Sequence, residues 1–129
     1  MNQAVPSIFT KVDRLIYAIR DDDVETFKKL GVPFEEYINL SFDFGMNILN
    51  FAIDQERMSI INYLAIVTAD NPELQKKLAT NRFDKNEIQA LHQAVTVGSK
   101  QILDCIIENF KADLDAKTAV GLTPLHCAA

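Results

Sequence analysis

The chain has 129 residues, 48% apolar and 24% charged, with a net charge of −5. That suits one soluble globular domain or a short repeat array, and the negative balance argues against non-specific nucleic-acid binding, which needs a basic face. No apolar run approaches the ~20 residues of a membrane span, and "MNQAVPSIFTKV" lacks the charged start and apolar core of a secretory signal, so no direct membrane insertion is expected.

From the N-terminus, the apolar pattern is helical almost throughout. "VDRLIYAIRDD" sets Val12, Leu15, Ile16 and Ile19 on one stripe, and "DVETFKKL" follows a short acidic break with Asp23 as its expected N-cap. "GVPFEEYINLSFDFG" carries Gly and Pro punctuation and reads as a loop. The order then recurs. "MNILNFAI" is a short helix, "DQER" is polar and "MSIINYLAIV" is a second helix. Asn71-Pro72-Glu73 is a helix start, Asn as cap and Pro at the first position, which predicts an extended second helix or a small extra one around 72–80. "IQALHQAV", the turn "TVGS" and "KQILDCIIENF", with Ser99 as its cap, form another pair. Few stretches alternate with period 2, so the expected fold class is all-α.

Helix pairs at a fixed spacing call for a repeat search. Leu15, Leu49, Leu91 and Leu125 fall in phase, two intervals of 34 residues flanking one of 42, and each is followed three residues on by alanine: Ala18, Ala52, Ala94 and Ala128. A small residue there lets the next helix pack closely, as a stacked array requires. First helices are expected to begin near Asp13, Asn47, Ile88 and Thr123. The long interval exceeds a unit of ~33 residues by about nine. The excess lies in "VTADNPELQKKLATNRFDKNE", which reads mainly as a solvated loop decoration, with a second contact surface as the alternative.

The last nine residues, "GLTPLHCAA", resemble the core of the ankyrin repeat, whose signature is T-P-L-H-x-A. "LHQAVTVGSKQILDCIIENFKADLDA" resembles a nearly full unit with Leu91, His92, Ala94 and Gly98 in place and one extra residue near Lys111. "INLSFDFGMNILNFAI" keeps the turn Gly45 but replaces the motif with Asn47-Ile48-Leu49-Asn50. "RLIYAIRDDDVETFKKL" is a degenerate first unit with Asp22 where glycine is usual. The resemblance implies one solenoid domain over residues 1–129. Its units run roughly 8–41, 42–83 with the insert at about 66–83, 84–117 and a partial 118–129. It also implies that His126 bonds Thr123 of its own motif, whereas His92 has Gln89 in that place. Because "GLTPLHCAA" is the front half of such a unit and stacked arrays end in a polar cap, the chain is expected to be a fragment of a protein with further repeats.

What the resemblance implies about function is a protein-binding concave face of turn tips and first-helix residues. Carried onto this chain, the contact positions are Arg20 and Asp21 in the first unit, then Asp43, Phe44, Met46, Asp54 and Gln55 in the second. The third contributes Lys85, Asn86, Ile88, Thr96 and Val97, and the fourth Lys117, Ala119, Val120 and Leu122. Phe44, Met46, Ile88, Val120 and Leu122 either form a solvent-facing apolar stripe or pack tip against tip. The expected partner is a protein. The alternative is the regulatory or targeting domain of a longer enzyme, such as a membrane acyltransferase, or of a secreted bacterial effector.

No catalytic residue, cofactor or metal is expected. The sequence holds no G-x-S-x-G, no Gly-rich phosphate loop and no H-E-x-x-H, and the spacing of His92, His126, Cys105 and Cys127 fits no zinc pattern. "RDDDVE" sits at a helix–helix turn, where acids cap and solvate. "FKKL" and "QKKL" are solvated faces too sparse for nucleic acid. Apolar surroundings mark Cys105 and Cys127 as reduced, buried thiols of an intracellular protein.

Overall fold

The computed structural model describes residues 11–124 and 126; Leu125, Cys127 and Ala128, to which the sequence assigns roles above, lie outside the described residues. Among the described residues the fold is all-α, with α1 at Lys11–Arg20, α2 at Val24–Lys29, α3 at Phe34–Tyr37, α4 at Ile48–Asp54, α5 at Met58–Val67, α6 at Pro72–Thr80, α7 at Ala90–Val97 and α8 at Lys100–Asn109. The one β-type feature there is an isolated bridge between Phe83 and Ile88.

Local chemistry sets most boundaries. Asp23 accepts from the Thr26 N–H at 3.1 Å and from its hydroxyl at 2.6 Å, which opens α2 and holds the Asp23 carboxyl below its ordinary pKa. Asn71 caps α6 through the Leu74 N–H at 3.1 Å with Pro72 at the first turn, and Ser99 caps α8 through the Ile102 N–H at 3.3 Å. Within the pairs α1–α2, α4–α5 and α7–α8, the connecting turn has a positive-φ residue at the same place, four residues after the alanine. Asp22, Glu56 and Gly98 all take positive φ, at 52°, 57° and 81°. The N–H that follows Asp22 returns to the Ala18 carbonyl at 2.8 Å, and the one that follows Glu56 to Ala52 at 2.9 Å; in the third pair Gly98 itself bonds Ala94 at 3.1 Å. So Ala18, Ala52 and Ala94, the alanines of three Leu-x-x-Ala frames, also close their helices.

Leu15, Leu49 and Leu91, with Ala18, Ala52 and Ala94, are all buried. Packing runs between pairs: α4 lies on α7, while α5 lies between α2 and α8. α5, "MSIINYLAIV", is apolar on nearly every side, as a helix with neighbours on two flanks must be. The second helices α2, α5 and α8 thus pack in sequence, and the first helix α4 packs on α7.

Two sequence expectations are corrected here. The stretch 31–45 is not only a loop, since α3 forms within it. Tyr37 packs edge-on against Phe27 at 5.1 Å, and Phe27 meets Tyr63 of α5 at 5.6 Å, so a long-range aromatic cluster stabilises a four-residue helix that local pattern did not indicate. The insert is not a solvated decoration: α6 packs on α4 and α7 and buries Gln75, Leu78 and Ala79. Helix starts shift by up to about two residues, α1 being already helical at Lys11 and α7 starting at Ala90 behind the cap residue Gln89, while α4 starts at Ile48, next to the expected Asn47, which is its cap.

Candidate functional site

Ahead of the helices that follow them, three turns stand in a row, at residues 42–46, 83–88 and 118–122. Each closes on itself. Phe42 N–H donates to the Met46 carbonyl at 2.7 Å, Phe83 and Ile88 exchange two bonds of 2.9 Å, and Thr118 N–H donates to Leu122 at 2.9 Å. Gly45 and Gly121 take φ of 81° and 84° to make the reversal; in the second turn Glu87, at 53°, does so without glycine. Each turn then bonds the next: Asp84 N–H donates to the Phe44 carbonyl and Ala119 N–H to the Asn86 carbonyl, both at 2.8 Å. Backbone bonding across the row fixes the relative positions of the turns.

The same relation joins each of these three turns to the helix that follows it. The third helical residue accepts the N–H of the cap: Asn50 Oδ1 from Asn47 at 3.1 Å, His92 Nδ1 from Gln89 at 3.1 Å and His126 Nδ1 from Thr123 at 3.0 Å. His126 also stands 3.0 Å from the Thr123 hydroxyl, as the motif implies. His92 has a second role that its own unit does not reveal. With Nδ1 accepting, its Nε2 carries the proton and donates to the Leu122 carbonyl at 3.1 Å, in the third turn. Asn50 replaces that histidine with a different link. Its Nδ2 donates to Gln93 Oε1 at 3.2 Å, and Gln93 Nε2 returns to the Asn50 carbonyl at 2.9 Å, tying α4 to α7 inside the core.

The sixteen contact positions read from the sequence divide on this scaffold. Arg20 and Asp21 are exposed at the end of α1; Asp54 is exposed and Gln55 half-buried at the end of α4, with the Gln55 amide donating to Asp54 at 3.1 Å. Asp43 and Phe44 top the first turn, Lys85 and Asn86 the second, and Lys117, Ala119, Val120 and Leu122 the third, all exposed. Thr96 is exposed on α7 and Val97 half-buried beside it. Among the apolar five, Phe44 is 76% exposed, Val120 78% and Leu122 42%. Met46 does not join them. It is 6% exposed, its sulfur 3.9 Å from the Gln93 amide, because the residue leaving the turn points back into the core between α4 and α7. Ile88, at the same point of the second turn, is half-buried against the core.

Reading by motif missed Asn81 and Arg82. Both follow α6, in a stretch with no counterpart in the other units, and nothing local marks them. Asn81 Nδ2 donates to the Gly45 carbonyl at 3.1 Å and to Asn50 Oδ1 at 2.8 Å, and Arg82 pairs with Glu87 at 3.1 Å.

No group of three or more His, Cys, Asp or Glu among the described residues is arranged to hold a metal, and no described helix is long and apolar enough to cross a membrane. Cys105 is unpaired and buried; burial raises its thiol pKa, with the Asn109 amide at 3.4 Å acting the other way, so it is a poor nucleophile. No protein-family model matches the chain, and no curated protein is significantly similar to it.

Proposed function

We propose that the chain is a stack of ankyrin-type helix pairs that binds a protein partner along the row of turns and the adjoining ends of the first helices. The observation that carries this is the row itself: three turns bonded in register through their backbones, with Phe44, Val120 and Leu122 turned to solvent. Apolar side chains on preorganised turns lose little entropy on contact and suit the anchor positions of an interface. The ankyrin reading rests on the Leu-x-x-Ala phase, the shared positive-φ turn at Asp22, Glu56 and Gly98, and the cap bond from the third helical residue. The role is binding, without catalysis or cofactor, and the unpaired, buried Cys105 accords with an intracellular setting.

The test is Phe44→Asp combined with Val120→Asp. Both side chains are exposed, so the urea midpoint should stay at the wild-type value, while proteins retained from a lysate by the wild-type chain should no longer be retained. Retention of the same proteins at the same strength by the variant would remove the turn row as the binding edge.

A further inference from the structure

We infer that Asn81 and Arg82, the two residues leaving the insert helix, hold the three turns in one row, and that α6 is the strut that sets where they stand. Asn81 reaches the first turn through the Gly45 carbonyl and α4 through Asn50. Arg82 closes the second turn through Glu87, and its guanidinium stands 3.5 Å from the Lys117 carbonyl at the entry to the third. Phe83 follows at once and forms the bridge to Ile88. Two consecutive residues therefore reach the first two turns and the entry to the third.

The strut is anchored at its other side. Asn47 Nδ2 donates to the Leu78 carbonyl at 2.9 Å, Gln75 Nε2 lies 3.4 Å from the Ala65 carbonyl, and Leu78 and Ala79 are buried. This answers a physical need. About nine residues beyond the usual unit separate the second pair from the second turn. The bonds from Asp84 to Phe44 and from Ala119 to Asn86 form only if the chain returns in register, since a backbone hydrogen bond weakens steeply with distance and angle. The insert is thus a positioning element for the row, whatever the row binds.

Amide hydrogen exchange on the whole chain tests this. Asn81→Ala removes both donors, so exchange of the Asp84 and Ala119 amides should rise about tenfold, the factor for one net hydrogen bond lost from a local opening. Arg82→Gln should raise Ala119 in the same direction. Ile102→Val, deep in α8 and remote from the row, lowers overall stability and serves as the control; it should leave both turn amides at wild-type rates. The inference is overturned if neither Asn81→Ala nor Arg82→Gln moves the turn amides, or if Ile102→Val moves them equally, because the turns then open only with the whole molecule. If Asn81→Ala does not fold, Arg82→Gln, at a surface ion pair, decides the matter against the same control.

Discussion

Replacing Asn50 with leucine separates a packing role from a hydrogen-bonding one, because the two side chains are similar in size. Asn50 is fully buried, and its amide serves three partners: the Asn47 N–H, the Asn81 amide and Gln93 Oε1. After Asn50→Leu, Asn81 keeps the Gly45 carbonyl, but the Asn47 N–H and Gln93 Oε1 are left without a partner. A buried group stranded in this way costs roughly 1–3 kcal/mol. Asn47 is only half-buried, so its share falls at the low end, and the expected loss is about 3 kcal/mol. Gln93→Leu leaves the Asn50 amide N–H without its acceptor and takes the Gln93 donor from the Asn50 carbonyl, and should cost about 1–2 kcal/mol. The double variant removes donor and acceptor together, so its loss should fall short of the sum by about 1 kcal/mol or more, as for contacting residues in general. Urea unfolding at an unchanged m-value measures all four corners of the cycle. Strict additivity, or an Asn50→Leu loss below about 0.5 kcal/mol, would refute the view that this amide pair ties α4 to α7.

Glu56→Gly should stabilise the chain by about 0.5 kcal/mol, since relief of the left-handed strain slightly exceeds the entropy that glycine adds to the unfolded state; Gly98→Ala, where a Cβ meets no neighbour but φ is 81°, should lose about 1 kcal/mol. If both changes shift the urea midpoint in the same direction, the equivalence of the two turns is wrong. Burial raises the Tyr37 hydroxyl above its ordinary pKa. Below about pH 10 folded and unfolded chains both keep that proton, and above it the unfolded chain releases it first, so stability falls as pH rises from there. Tyr37→Phe should make that alkaline loss shallower in thermal melts between about pH 9 and 11, and an identical slope would count against a buried, protonated Tyr37.

Neighbouring residues determined much of this architecture. Asp23, Asn71 and Ser99 cap their helices through backbone groups three residues away, and such bonds need no other part of the chain. Leu15, Leu49 and Leu91 reached the core because a helix face and a repeat period are both properties of spacing. Even the odd unit was visible in outline, since Asn71-Pro72 announces a helix wherever it occurs.

Tertiary structure decided the rest. Phe44 and Met46 are two residues apart in one turn, yet one faces solvent and the other the core, because Gln93, 47 residues on, supplies the wall behind Met46. α3 exists because Tyr37 finds Phe27, and α6 packs inward because α4 and α7 offer it a face. His92 bonds a carbonyl 30 residues ahead, and Asn81 bonds the Gly45 carbonyl 36 residues behind. Caps and periodicities arise from contacts within a turn or two of helix and are written in order along the chain. The choice of which turn residue folds back, and of what an insert rests on, belongs to partners that only the packed helices bring within reach.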